Sequence, residues 1–596
     1  MSDICGSIPN LTKDHFSDDI LLNVLPAQIR ARIFSALPLR LIKLPEIKLT
    51  ERSAVAEYII QNKLNNVTEE IYRRMIDVLG GWDAYTRGMS WHKTRFHNAA
   101  ITAFVKDITK FAVLSHTWGQ DEPSYEDFVL KRNTTGSKGY EKLEKFCKIA
   151  YEQYGVEFAW ADTVCINKLS SSELDESIRS MFTWYRESSI CIIYLADTET
   201  LLDFPFDRWF TRGWTLQELL APLRIKCYNK RWQPLTNLRN EKLDPNGKLH
   251  QYHPDYASHL RTFDEKYALQ LKLLVDGISA ATGIPIHHIY EFQPGLQDPS
   301  LPERMKWIAQ RITTRPEDIS YSMMGVLGVS ISVAYGEGLE RAFFRLFQAV
   351  LEVDWSPSWF LWGGKPIASH IHPSRMIPSS PACYLSWDPD CDPRSSFKKE
   401  PTTLINLSMP PQWDPRNALK REPIALTNTG LPIKVLIVPA RVTHIATGLA
   451  MAGPNKDANI TCPLSDDTIK MVNVQRQNIH HKGEHQFAFG ILDHDLGPWS
   501  NPERVYGILL RRYYGPYRFT PLGEDQRRIT EWMCAEWERW ETGGILSFAL
   551  KDMFRGMESS DLTKVQISRS EVGWSDSKDG RSIAPKPEVE LRSLYL

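Results

Sequence analysis

The stretch FTRGWTLQELLAP, Phe210–Pro222, sets a carboxylate among leucines. Leu216, Leu219 and Leu220 have the spacing of a short helix's buried stripe. Trp214 and Glu218 lie four apart and so share a face. A Trp and a carboxylate on a helix face that closes a cleft can hold a planar or sugar-bearing ligand. Partial desolvation against the indole would raise the Glu218 pKa. The other role open to Glu218 is an ion pair with Arg212 or Arg208 just upstream.

Further polar residues follow apolar runs. LSHTWG delivers Ser115, His116 and Trp118; ADTVCIN delivers Asp162, Cys165 and Asn167; LADTE delivers Asp197. If the runs are parallel strands, these residues meet at the carboxyl edge, where such sheets bind ligands. Ser115, His116 and Asn167 can bond ribose or phosphate oxygens, and Trp118, Trp184 or Trp214 can stack on a ring. The alternatives are core packing for each Trp and turn fixing for Asp162 and Asn167. Cys165 with His116 and Asp162 would make a cysteine hydrolase only if the thiol were activated; a buried Cys is inert. The groups His250, His253, His259, then His287–His288 and His480–His481 lack a matching second ligand set, so no metal site is expected. GSKGYEKLEK departs from the phosphate-loop pattern.

The elements that must position these residues read as α/β. KFAVLSH, VEFAWADTVCI, SICIIYLAD and RIKCYN are apolar strands, and LRLIKL precedes them. YEKLEKFCKIAYEQYG has helical spacing and a terminal Gly155. SSSELDESIRSMFTWY opens with the capping-box pair Ser170 and Glu173 and repeats Leu174, Ile178, Met181, Phe182 and Tyr185 on one face. Strands this apolar, alternating with helices, predict a parallel sheet covered on both sides. SAVAEYIIQNKL, TEEIYRRMIDVLGGW, SLPERMKWIAQRI and EGLERAFFRLFQAVLEV read as helices. The basic, aromatic YTRGMSWHKTRFHNAAITAFVKDI reads as a solvated helical face. From about residue 356, short apolar runs broken by Pro, Gly and Asn predict a β-rich domain with a late helix, EDQRRITEWMCAEWERW. The expected division is an N-terminal segment 1–37, an α/β domain 38–355 with a helical insertion over about 62–109, a β-rich domain 356–555 and a flexible tail 556–596.

Composition narrows the class. The chain has 596 residues, 42% hydrophobic and 24% charged, which is globular composition for more than one domain. A net charge of −1 supplies no field for nucleic acid or anionic lipid. Nine Cys without C-x-x-C pairs fit a reducing compartment. No apolar run nears the roughly 20 residues of a membrane span, and MSDICGSIPNLTKDHFSDD has no secretory pattern. A cytoplasmic protein is expected.

The blocks FAVLSHTWG, FAWADTVCINKLSSSELDESIRSMFTWYRESSICIIYLAD, RWFTRGWTLQELLAP and TRPEDISYSMMGVLGVSISVAYGEGLERAFFRL, in this order, resemble the fungal HET (heterokaryon incompatibility) domain over roughly residues 38–355. The resemblance implies a part in non-self recognition and regulated cell death. HET domains are in turn held to be distant relatives of TIR domains, which implies a flavodoxin-like sheet. It also implies NAD glycohydrolysis on self-association, with NAD as substrate and no cofactor. WTLQEL is similar to the TIR pattern W-C-x-x-E-L at Trp214, Glu218 and Leu219, with Thr215 in place of the Cys. Carried over, Glu218 is the catalytic carboxylate, and Ser115, His116, Trp118, Asp162, Cys165, Asn167, Arg212 and Trp214 line the substrate site. The implied partners are further copies of the chain and a protein of the incompatibility response. The alternative is a non-catalytic death adaptor acting by oligomerisation.

Overall fold

The computed structural model describes residues 24–64, 101–242 apart from 120 and 131–135, 265–294, 299–353, 362–385 apart from 373 and 375, residue 426, and the strands and short links within 432–595. The chain forms two compact units: Met1–Leu296 with Gln310–Tyr335, and Gln297–Ala309 with Gly336–Leu596.

In the first unit a six-stranded sheet carries β1 (Arg40–Lys43), β2 (Lys48–Glu51), β3 (Ala112–His116), β4 (Phe158–Trp160), β5 (Ile190–Tyr194) and β6 (Ile225–Tyr228), in the order β2-β1-β4-β3-β5-β6. Four neighbours, β4-β3-β5-β6, are parallel. The sheet is not wholly parallel as expected: β1 and β2 form a tight antiparallel hairpin, and β1 joins β4 antiparallel. All of β3 and β6 is buried, and β5 is buried up to Tyr194. Continuous apolar runs are what a sheet covered on both faces requires.

The helices follow their end signals. Ser137 caps the helix Lys138–Tyr154 by accepting from the Tyr140 amide, and Gly155 ends it at φ 61°, the left-handed turn that glycine takes without strain. Ser170 caps Ser171–Glu187, but Glu173 does not complete the expected box. Its carboxylate accepts from the Asn167 amide at 2.7 Å and pairs with Arg40. Trp184 and Tyr185, on this helix, meet Trp160 edge to face under the sheet. VEFAWADTVCI keeps only Phe158–Trp160 as strand; Asp162–Cys165 is one helical turn, closed by the Cys165 amide on the Ala161 carbonyl.

Most of the helical insertion expected at about 62–109 lies outside the described residues, including TEEIYRRMIDVLGGW; residues 101–108 are helical. Further helices of the first unit are Leu25–Ala36, Arg52–Lys63, Tyr125–Val129, Glu265–Thr282, Ile286–Tyr290, Asp318–Tyr321 and Met324–Leu327.

In the second unit are the helices Leu301–Ala309 and Leu339–Val353 and two antiparallel sheets. The strands are β7 (Pro432–Pro439), β8 (Arg441–His444), β9 (Asn455–Thr461), β10 (Thr468–Gln475), β11 (Phe487–Ile491), β12 (Arg504–Tyr514), β13 (Ala535–Arg539), β14 (Leu546–Ala549) and β15 (Glu590–Tyr595). One sheet is β10-β9-β8; the other runs β13-β12-β11-β7-β15, with β14 also on β12. Pro381–Tyr384 is a 3-10 turn. Two expectations change in this unit. The described part of the late helix is strand β13, because pairing with β12 overrides local helix propensity. The tail ends not loose but as β15, hydrogen-bonded along β7; 550–589 lie outside the described residues.

Helix Met324–Leu327 approaches Ser171–Glu187 so closely that a Cβ on Gly325 would sit 2.1 Å from Phe182 Cβ. Gly325→Ala is therefore expected to destabilise the first unit by about 1–3 kcal/mol, read as a lowered denaturation midpoint by near-UV circular dichroism.

Candidate active site at the carboxyl edge of the parallel strands

Strand β3 ends in two polar residues, and strand alternation sends them to opposite faces. Ser115 turns toward the short helix Thr215–Leu220 and donates to Glu218 Oε2 at 2.6 Å. Trp209 Nε1 donates to Ser115 Oγ at 2.8 Å. An indole only donates, so Ser115 accepts there and its single proton goes to Glu218. Glu218 Oε2 is thus committed as acceptor, and Oε1 is the oxygen left for a proton or a ligand. Tyr185 stands beside the same carboxyl while its hydroxyl donates to the Leu114 carbonyl at 3.0 Å.

Glu218 is 8% exposed. Burial pushes its pKa up to about 8; Ser115, Tyr185 and the charge of Arg212 pull against that, and Asp162 adds to it. The ion pair with Arg208 that the sequence leaves open does not form, because Arg208 binds Asp197 at 2.6 and 2.5 Å on the surface. Asp197 is thereby engaged away from Glu218.

His116 faces the other way. Its Nε2 lies 3.2 Å from Asp162 Oδ1 and its Nδ1 3.8 Å from Glu122 Oε1. Glu122 pairs with Lys142 and accepts from the Gly119 amide at 2.7 Å. Trp118, 46% exposed, donates from Nε1 to Asp162 Oδ2 at 2.8 Å, and the Lys168 ammonium lies 3.7 Å from its ring centroid. Burial opposes the Asp162 charge, yet His116, Lys168 and Trp118 hold its pKa down to about 2. One rim therefore carries a carboxylate that stays ionised and a carboxyl kept neutral.

The remaining sequence-derived positions divide. Cys165 is buried, and burial pushes its thiol up to about 12, which removes the thiolate that a cysteine hydrolase needs. Asn167 fixes its turn, its Oδ1 accepting from the Leu169 amide at 3.1 Å. Trp214 is half-buried at the start of the Glu218 helix, its indole bearing on Asp318; burial raises the Asp318 pKa against Tyr335 and this indole. The backbone carbonyl of Arg212 accepts from Arg311 Nη1 at 2.8 Å. Trp184 is buried in the core. Sequence reasoning missed Trp209, Tyr185 and Arg311 around Glu218, and Glu122, Lys142 and Lys168 around His116. RWFTRGW held Trp209 in view, but nothing local distinguishes a donor tryptophan from a packing one.

Among the described residues no group of three or more His, Cys, Asp and Glu stands where it could hold a metal ion. His250, His253, His259, His480 and His481 lie outside them. No helix of the described residues is long and apolar enough to cross a membrane.

What fold and rim define is an α/β domain with one neutral carboxyl held by a serine at the end of a parallel strand. Residues 111–206 match the family model described as heterokaryon incompatibility protein (HET). The chain is also 36% identical over 257 residues to vegetative incompatibility protein HET-E-1 of Podospora anserina, across 41% of this chain and 16% of that protein. The chain thus spans about a sixth of the length of this curated relative. Over these stretches the chain is similar to the HET domain. No solved structure matches it.

Two outcomes test the site's electrostatics. A carboxyl whose folded pKa lies above its unfolded value contributes stability that is full below the unfolded pKa and lost as pH rises through the folded one. Glu218→Gln should therefore match the wild type at pH 4, near the ordinary glutamate range, and exceed it increasingly up to about pH 8. The gain at pH 7 should be on the order of 3 kcal/mol, read by calorimetry across pH. Ser115→Ala leaves both Trp209 Nε1 and Glu218 Oε2 without their partner and should cost about 3 kcal/mol, read by urea denaturation.

Proposed function

We propose that this protein acts in vegetative incompatibility, its HET domain triggering regulated cell death in the cytosol as an NAD glycohydrolase when copies assemble. The incompatibility role is supported by the matched family and by the name of the Podospora anserina relative. The observation that carries the enzymatic reading is the Ser115–Glu218 hydrogen bond at the carboxyl end of a parallel strand. Counted among themselves, the parallel strands run second-first-third-fourth, in agreement with the start of the flavodoxin-like order of TIR domains. In that order the ligand crevice lies between first and third strands, here β3 and β5, and Ser115 lies near the end of β3.

In the reaction the bond from ribose C1′ to the pyridinium nitrogen breaks, and its electron pair leaves with nicotinamide. Water bonds to C1′ and releases a proton. The sugar becomes cationic on the way, and ionised Glu218 stabilises that charge or orients the ribose hydroxyls. Trp118 and Lys168 offer a ring and a cation for the rest of a dinucleotide, with Ser115, His116, Asp162, Asn167, Arg212 and Trp214 around them. With 8% of its surface exposed, Glu218 admits no sugar in the described conformation, so the reading includes an opening of the rim, supplied by self-association or by a protein partner of the incompatibility response. The same burial is what favours the second reading, a non-catalytic adaptor that kills by assembling.

Purified protein, with and without a crowding agent to drive assembly, should consume NAD and release nicotinamide, faster as pH is raised through about 8, where the buried carboxyl ionises. Glu218→Gln should lower the rate by about 10²-fold or more and abolish killing in cells. If Glu218→Gln kills as the wild type does, the adaptor reading replaces the enzymatic one.

A further inference from the structure

The block TRPEDISYSMMGVLG is far from Glu218 in sequence, and the proposed chemistry does not use it. The residues just before this block, Arg311 and Ile312, fold back onto the start of the Glu218 helix. The Ile312 amide donates to the Thr211 carbonyl at 2.7 Å, and the Gly213 amide donates to the Ile312 carbonyl at 2.9 Å. Arg212 and Ile312 thereby form a parallel bridge. Next to it Arg311, 7% exposed, donates from Nη1 to the Arg212 carbonyl at 2.8 Å and to Thr215 Oγ1 at 2.9 Å. Thr215 Oγ1 in turn lies 2.6 Å from the Trp209 carbonyl. One guanidinium thus ties the turn that carries Trp209 at one end and the Glu218 helix at the other.

We infer that Arg311 is the positioning residue of the site: it sets the turn that aims Trp209 at Ser115 and Glu218 at the strand edge, and its charge acts on the Glu218 carboxyl. This deepens the proposed function and rests on Glu218 being the working carboxyl. A purely structural arginine at a turn needs only its hydrogen bonds. Arg311 is also electrostatically coupled to the carboxyl: burial lowers its pKa to about 9, and the charge of Glu218 opposes that. The other groups that bear on Glu218 are Arg212, Asp162, Tyr185, Ser115 and Cys191, whose Sγ donates to the Glu218 carbonyl at 3.8 Å. Of the two cations, Arg311 is the one fixed by two hydrogen bonds to the turn itself.

The test separates charge from hydrogen bonding and needs no NAD. In the full chain, the Glu218 carboxyl is titrated by its infrared band, isolated by subtracting Glu218→Gln in each background. Arg311→Met removes both charge and donors; Arg311→Gln keeps a donor for the Arg212 carbonyl and Thr215 but removes the charge. Both should move the Glu218 midpoint upward. Hydrogen exchange of the Trp209 indole should speed up by about tenfold or more in Arg311→Met, the loss of roughly one net hydrogen bond, and less in Arg311→Gln. An unmoved midpoint in a folded variant, or unchanged Trp209 protection in Arg311→Met, overturns the inference. So does failure of both variants to fold, which would assign Arg311 to the fold alone. A wild-type protein that shows these shifts yet cleaves no NAD leaves the positioning intact and counts against the glycohydrolase reading instead.

Discussion

The rest of the rim depends on a buried carboxyl held at the end of a parallel strand by a hydroxyl whose proton has only one place to go. Moving a carboxylate out of water costs several kcal/mol unless donors replace the lost hydration. At Glu218 the replacement is thin: a hydrogen bond from Ser115, with the charges of Arg212 and Arg311 acting on it. Neutrality is the way the group resolves this cost, which is why its pKa rises. The orientation is not left to chance. Trp209 cannot accept, so it fixes the polarity of Ser115, and Ser115 in turn fixes which oxygen of Glu218 is engaged.

The same strand end produces a second polar cluster by alternation alone. His116 follows Ser115 and faces the helix Lys138–Tyr154, where Lys142 holds Glu122 and Asp162 answers from across the edge. Lys142 itself donates to the Thr117 carbonyl at 3.3 Å, which ties the helix to the loop that presents Trp118. Thus β3 contributes a side chain to each layer, and the strand, buried along its length, keeps the two clusters in fixed relation.

Much of this was legible in the sequence. Continuous apolar runs identified β3, β5 and β6, and Ser170 and Gly155 marked helix ends correctly, because caps and burial are local demands of the chain. What is not local was not legible. The antiparallel joining of β1 to β4, the strand β13 inside a helical pattern and the return of the tail as β15 are all decided by which strand lies beside which. In the site, Glu218 stood out as a charge in an apolar stripe, and Ser115 and His116 as polar ends of an apolar run. Arg311 gave no such signal: its meaning is the two carbonyl and hydroxyl groups it meets about a hundred residues upstream. Cys165 stayed open between a reactive and a buried thiol, since an apolar environment and a reactive one look alike in a string of letters.

Two carboxyls at one edge, driven apart by their surroundings, make a division of labour. Asp162 is met by His116, Lys168 and Trp118 and stays ionised down to about pH 2. Glu218 lies among a serine, a tyrosine and leucines and stays protonated to about pH 8. Environments that separate two like groups in this way are how one fold assigns them different tasks. Asp162 cannot change charge near neutrality, so its constancy suits it to hold the rim's cations. Glu218 can change charge there, and any event that lets water reach it lowers the cost of ionisation and turns a silent acid into an anion. Ionisation of Glu218 and access of water to it are therefore coupled, and in its buried position the carboxyl carries no charge at neutral pH.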